Sequence, residues 1–414
     1  MNSGWAERLR SEFSFIRGNV LILFVSWLLM SFGLYMPLTY YSLYVLKLGG
    51  TPFTVGVIGL TYSLSLMSVQ FLGGYFADSY GRRRLVVTMT FALAGSYILY
   101  ALAPTWKILL VASVVEGLSL VYMPALRAIL ADSLPPEKRG LGYSISMLVF
   151  APSMASPFVA AWFVEHMGML RGMRLIYLVS SVIYFSAAAL RIRLKETLKE
   201  RRYRLSEALR SYPRAFREGF RVWSSVPKEA LWLSIIYVAS FFFTWLCSPY
   251  YVIYATEELG VSEAFWALLV AIQNAASYVF SIPLGKLVDV VGRVKPLAAS
   301  MALLSAAVGL FVAGKGALLP IAFTLLGMSS VLFNTSYQSL QTDLVSAEYR
   351  GRVIGFTNFF AYMFEALAQL TGGYVYERVS PSLPFTLLTV SQVPLMVLTL
   401  LTLTGVGKTS ASSD

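Results

Sequence analysis

Two carboxylic acids stand where a charge is expensive. Of the 21 acidic residues in the 414-residue chain, only Glu116 and Glu365 fall in the middle of long apolar runs. Glu116 lies about ten residues from one end of its run and Glu365 about fourteen from the opposite end of its own, which at ~1.5 Å rise per residue puts both near mid-membrane. An ionisable group at that depth costs at least a few kcal/mol and is a functional candidate by default. A carboxyl that is neutral in apolar surroundings and ionises when water or a cation reaches it can carry a proton, so proton coupling and substrate contact are the chemistry on offer. The alternative at each position is a neutral acid hydrogen-bonded between helices.

Amides add a second polar pattern. Asn358 and Gln369 share a helical face with Glu365; Asn334, Gln338 and Gln341 step by four and three along another run; Gln273 and Asn274 lie near the middle of a third. In a membrane bundle such groups face inward, either as interhelical contacts or as the polar wall of a cavity. Tyrosines crowd one end of the first and seventh runs: Tyr35, Tyr40, Tyr41 and Tyr44, then Tyr250, Tyr251 and Tyr254. They fit an interfacial aromatic belt. Arg127 is a gate cation or a partner of Asp132, and His166, beside Glu165, reads as interfacial. No phosphate-cradling loop, metal-ligand spacing or nucleophile motif is present, so no cofactor, ATP or metal is expected.

The elements that position these residues are apolar helices. Hydrophobic residues make up 57% of the chain and charged residues 13%, far from the balance of a soluble domain. Runs near the ~20 residues that span a bilayer recur about twelve times, near 18–46, 52–77, 84–104, 106–131, 140–166, 172–194, 229–256, 262–287, 294–313, 316–342, 350–376 and 382–405. The first is too long for a secretory signal and reads as a retained helix. Pro37, Pro104, Pro152, Pro157, Pro249, Pro283 and Pro394 predict ends or bends. Lone Cys247 reads as packing. The net charge of +12 could suggest a nucleic-acid partner, but its distribution argues otherwise. With the N-terminus inside, 26 of the 33 Lys and Arg fall in inside segments and six outside, so both termini are expected in the cytoplasm and no nucleic acid is expected to bind.

The chain also repeats itself. Gly74-Tyr-Phe-Ala-Asp78-Ser-Tyr-Gly81-Arg82-Arg83-Arg84 returns as Gly285-Lys-Leu-Val-Asp289-Val-Val-Gly292-Arg293-Val-Lys295, at an offset of 211 residues. Asp132 and Asp343, and the dipeptides Arg139-Gly140 and Arg350-Gly351, keep the same offset, which marks a duplicated half. Gly74 suits a close helix approach, Asp78 at a helix end can receive the positive end of another helix, Gly81 permits a tight turn, and Arg82 to Arg84 offer ion-pair donors. Asp132 and Asp343 are candidate acceptors for the loop arginines.

Twelve spans in two halves, a basic middle segment and Gly-x3-Asp-x2-Gly-Arg in the same loop of each half resemble the major facilitator superfamily over nearly the whole chain. The resemblance implies an all-α polytopic membrane protein of two six-helix bundles related by pseudo-two-fold symmetry. The expected division is an N-terminal bundle at 1–194, a basic linker with an amphipathic surface helix at 195–228, a C-terminal bundle at 229–405 and a tail at 406–414. It further implies that Asp78 meets the start of the eleventh helix near Arg350 to Val353, and Asp289 the start of the fifth near Arg139, and, because the superfamily lines its cavity with the first and seventh helices, that Tyr40, Tyr44, Tyr251 and Tyr254 form an outer aromatic gate or a stacking surface as readily as a belt. The drug/proton antiporter pattern is only partly kept: Ser113 stands where its fourth-helix arginine would align, and Ala151 to Ser156 keeps a proline without the glycines.

The expectation is therefore a secondary active transporter working by alternating access, a monomer in the cell membrane, with a proton gradient driving export of amphipathic or cationic small molecules. A sugar or metabolite importer or facilitator is the alternative, and a membrane-embedded enzyme or sensor the remote one.

Overall fold

The computed structural model describes residues 12–70, 72–198, 226–314 and 316–403. The surface helix expected within 195–228 lies almost wholly outside those residues, as does the 406–414 tail. All regular elements described are helices. We label the membrane rods α1 (Asn19–Leu38, continued by Tyr41–Lys47), α2 (Pro52–Gln70, continued by Leu72–Tyr80), α3 (Arg82–Leu102), α4 (Trp106–Ser133) and α5 (Arg139–Leu148, then Ser156–Met167). They are followed by α6 (Met169–Arg191), α7 (Lys228–Glu258), α8 (Glu263–Val279, then Ser281–Val291), α9 (Val294–Ala313), α10 (Leu318–Leu344), α11 (Ala347–Arg378) and α12 (Leu383–Leu403). Ten of these are single helices long and apolar enough to cross a membrane, and α8, bent by 48°, makes an eleventh.

Proline explains most of the breaks. α5 is interrupted by a 3-10 segment, Ala151–Ala155, that carries Pro152 at its start, and α7 by another, Ser248–Tyr250, around Pro249. A proline nitrogen cannot donate, so the carbonyl one turn back is released and the helix retightens or bends. Pro394 differs: α12 runs continuously through it. Its ring removes one bond from a span already held by packing against α7 and α9.

The repeat is visible in three dimensions. Gly81 and Gly292 both adopt positive φ, 97° and 85°, a backbone only glycine reaches without strain. Arg82 pairs with Asp132 and Arg293 with Asp343, each pair inside its own half. These pairs are partly exposed, and exposed ion pairs contribute little. Asp132→Asn is accordingly expected to lower unfolding free energy by about 1 kcal/mol or less, checked by thermal melting in detergent. The first residues of the linker are held by the same turn: Arg83 donates to the Ile192 carbonyl (2.6 Å), its amide donates to Glu196 (3.1 Å), and Asn19 exchanges two bonds with Lys195 (2.7 and 3.0 Å).

The halves meet unevenly. We call the side bearing the Arg82 and Arg293 turns the basic face and the other the far face. From mid-membrane to the far face, α2 packs on α11 and α5 on α8. Small residues bring α2 and α11 together: a Cβ on Gly56 would strike the Gln369 carbonyl, one on Gly59 the Gln369 side chain, and one on Gly373 would lie 2.8 Å from the Pro52 carbonyl. Four bonds join the halves at the far face: Tyr40 Oη to the Glu263 carbonyl (2.6 Å), Ser42 Oγ to the Pro249 carbonyl (2.6 Å), Trp266 Nε1 to the Thr39 carbonyl (2.9 Å) and the Phe53 amide to Glu377 Oε2 (2.9 Å). On the basic face, Gly74, Gly140, Gly285 and Gly351 all border open space. This form of the molecule is shut at the far face and parted at the basic one.

Candidate functional site

Glu365 sits where the two halves touch. It is 3% exposed on α11, and its Oε1 accepts from Ser63 Oγ on α2 (3.1 Å) and from Gln369 Nε2 one turn along (3.0 Å); the same Nε2 also lies 3.2 Å from Ser63 Oγ. None of its hydrogen-bond partners is a cation. A buried carboxylate without a cation is costly, so a neutral acid, or one awaiting a cation, fits this surrounding.

Glu116 lies instead inside the N-terminal half. Its Oε2 accepts from Tyr100 Oη (2.8 Å), and it is half-buried among tyrosines of α1, α3 and α6. Tyr100 stacks on Tyr177 (centroids 4.9 Å) and Tyr97 lies against Tyr184 (4.7 Å). The two acids thus belong to different surroundings: one on the contact between bundles, the other behind it.

The amides divide in the same way. Gln369 joins Glu365, whereas Asn358, half-buried two turns away, has no hydrogen-bond partner among the described residues. Gln273 and Asn334 line a cavity of about 390 Å³ within the C-terminal half. Asn274 is half-buried beside it and is not on its wall. Asn334 and Gln338 are exposed in mid-α10, which at that depth places them on an open cleft and not on lipid. Of the candidate gate tyrosines, Tyr40 bridges the halves. Tyr44 donates to the Tyr100 carbonyl within its own half (2.8 Å), and Tyr251 and Tyr254 pack on Phe311 and Phe385.

In the signature loops, Leu72–Tyr80 packs on α3 and α4, and Asp78 has no hydrogen bond or ion pair among the described residues. Asp289 and Arg139 are likewise without one, and Arg350 donates to the Thr342 carbonyl (3.0 Å) of its own half. The contacts expected between Asp78 and α11, and between Asp289 and α5, are therefore not made in this form, whose basic face is parted. The close approach expected at Gly74 is made by its neighbour: a Cβ on Gly73 would lie 2.6 Å from the Val121 carbonyl.

Several polar residues escaped the sequence reading. Arg191, near the end of the sixth run at 172–194 and not singled out by the sequence, is 0% exposed at the end of α6, donating to Ser26 (3.1 Å) and Thr90 (2.8 Å) with its guanidinium over Tyr122. Tyr97 and Tyr100 at i, i+3, and Tyr177 and Tyr184 at i, i+7, carry a helical spacing that could have flagged the tyrosine cluster. Ser63 and Gln392 had no such signal.

Twelve helical rods in two halves, joined at one face through α2 on α11 and α5 on α8 with a buried acid on that contact, are the architecture of a membrane transporter. The Major Facilitator Superfamily model matches residues 22–246 and 233–413, and the chain belongs to that superfamily. An uncharacterised transporter of the same type from Methanocaldococcus jannaschii is 24% identical over 367 residues, covering 86% of this chain and 87% of its own. The quinolone resistance protein NorA of Staphylococcus aureus is 20% identical over 148 residues, 35% of this chain and 38% of its own. Among solved structures, the nucleoside transporter NupG superposes with a TM-score of 0.71 at 13% identity, over 94% of this chain and 100% of that one.

Proposed function

We propose that the protein is a proton-coupled exporter of amphipathic or cationic compounds, seated in the cell membrane with its basic face toward the cytoplasm. The observation that carries this reading is Glu365, a buried acid whose neutral partners come from both halves. When the bundles rock, Ser63 moves with α2 while Gln369 stays on α11. Parting them strips one donor from the carboxyl and admits water, so proton release is tied to the same movement that exposes substrate. Glu116, bonded to Tyr100 on the N-terminal side, supplies a second exchangeable site. The partial similarity to a quinolone resistance protein supports export, and the excess of Lys and Arg on the basic face supports the orientation. In the alternate form, with the basic face shut, Asp78 and Asp289 act as latches against the opposite bundle.

The test is flux in proteoliposomes. With ethidium as the probe and an imposed pH gradient, uphill ethidium movement is expected, collapsing when nigericin dissipates the gradient. Ethidium movement indifferent to the gradient, together with uptake of sugars or nucleosides, would instead favour the facilitator reading.

A further inference from the structure

A groove of about 570 Å³ runs between α7 and α11, and apart from Ser234 and Thr357 every residue lining it is apolar. Those two hydroxyls are already committed: Thr357 Oγ1 donates to Ser234 Oγ (3.1 Å), which donates in turn to the Ala230 carbonyl (3.0 Å). The groove opens away from the cleft between the halves. Ile235, on its wall, is two residues from Tyr237 and so lies about 200° around α7 from a side chain that lines the cavity of about 390 Å³ inside the same half. Leu231, Ile235 and Phe364 stay 37%, 42% and 37% exposed along its rim. On that outer side of a membrane bundle the neighbour is lipid.

Its length is that of one leaflet. From Leu231 to Phe242 the helix rises ~16 Å, about half of a ~30 Å hydrocarbon core, and Leu231 is one turn from the basic-face end of α7. The mouth is positively charged. Lys228, Leu231, Ile235 and Phe242 fall on one stripe of α7, at i, i+3, i+7 and i+14, while Tyr349, Phe360 and Phe364 fall on one stripe of α11, at i, i+11 and i+15. Tyr349 packs with Val226 against Ala230 at the start of α7, and Arg352 lays its guanidinium over the Tyr349 ring (5.8 Å), so both cations stand at the same end of the groove. Each is exposed and without an ion pair among the described residues. Of the acids in these first turns, Glu229 lies about 200° around α7 from Leu231, and Glu348, one turn before Arg352, does not pair with it. Trp232, 39% exposed one turn in from Lys228, sits at the depth where indoles meet headgroups.

We propose that this groove is a lipid site: it seats one acyl chain of an anionic phospholipid from the leaflet at the basic face, with the headgroup phosphate against Lys228 and Arg352. The chain supplies the contacts that the groove walls lack, and the charge of the headgroup decides which lipid stays, because a zwitterionic lipid brings the same chain but sets an amine before two cations. Both walls belong to one half, so the lipid remains seated while the halves rock. The site does not rest on the export reading; neither a gradient nor Glu365 enters it.

The experiment uses the purified full-length protein and two lipids with identical palmitoyl and oleoyl chains, phosphatidylglycerol and phosphatidylcholine, with retained lipid counted by native mass spectrometry. Wild type is expected to hold one phosphatidylglycerol roughly tenfold more tightly than phosphatidylcholine. Lys228→Gln with Arg352→Gln, both exposed and unpaired, is expected to remove that preference and leave phosphatidylcholine unchanged. Lys286→Gln with Lys295→Gln removes as much charge from the basic face away from the groove, and the preference is expected to survive it. Ala239→Phe, which places a ring in the groove, is expected to weaken both lipids. Equal retention of the two lipids by wild type, a preference that outlasts the Lys228 and Arg352 changes, or an equal loss in the Lys286 and Lys295 control would overturn the proposal, as would a dimer without retained lipid. These readouts stand even if Ala239→Phe fails to fold.

Discussion

Glu365→Gln is expected to abolish proton-driven accumulation while sparing exchange. The glutamine keeps the shape of the neutral acid and an oxygen able to accept from Ser63 and Gln369, so the contact between α2 and α11 should form as before. What it lacks is a proton to release when the bundles part. Coupling free energies of about 1–3 kcal/mol correspond to a 5–150-fold change, and the accumulation ratio under a pH gradient is expected to fall within that range. Counterflow of ethidium between equal pH values should persist, because rocking itself is not impaired. Glu116→Gln is expected to have the smaller effect, since its bond to Tyr100 lies within one half and is not broken by the movement. Proteoliposome flux with and without the gradient distinguishes the two, and full accumulation by Glu365→Gln would sink the assignment.

The second large effect belongs to a residue with no side chain. At Gly56 an added methyl would run into the Gln369 carbonyl and reach within 2.8 Å of the Tyr250 hydroxyl, neither of which is a flexible chain end. Overpacking of this kind costs typically about 1–3 kcal/mol, and about 1.4 kcal/mol already shifts a two-state population tenfold. Gly56→Ala is therefore expected to favour the form in which the far face is open. A reporter is at hand in Ser42, buried in the far-face seal, with the native thiol removed as Cys247→Ala. Labelling of Ser42→Cys by a membrane-impermeant maleimide should accelerate several-fold in the Gly56→Ala background. Gly74→Ala is the control: its methyl would meet open space, and unchanged labelling is expected. Equal acceleration by both would mean that the contact of α2 with α11 does not hold the seal.

Much of the architecture is legible without coordinates because membrane helices announce themselves by length and apolarity, and because duplication leaves an offset that landmarks such as Asp132 and Asp343 preserve. The prolines of α5 and α7 gave their breaks away for an equally local reason, a missing donor. The depth of Glu116 and Glu365 could be counted from the ends of their runs. Which way they face could not. In a soluble helix the polar stripe reveals the buried side, but in a membrane span lipid-facing and protein-facing surfaces are both apolar, so rotation about the axis leaves no trace in composition. That is why Glu116 and Glu365 read alike in sequence and occupy different places in the fold. The same ambiguity hid Ser63, whose role depends on what α11 brings opposite it, and Arg191, whose burial beneath Tyr122 reverses the solvated reading that its basic neighbours invite. The loops showed their chemistry but not their engagement: in the form described, Asp78 and Asp289 make no hydrogen bond or ion pair with the opposite bundle among the described residues.

The far-face seal has an uneven tolerance of sequence change. Tyr40, Ser42 and Trp266 each donate from a side chain, and each is received by a backbone carbonyl, of Glu263, Pro249 and Thr39. A carbonyl is offered by every residue, so the receiving positions are free to drift as long as the chain path holds. The donors are not. The Phe53 amide reverses the roles, donating its N–H to the Glu377 carboxylate, so diversification of this seal in related chains is confined to one partner of every bond, and a designer wishing to loosen it without disturbing the fold has four side chains to choose from.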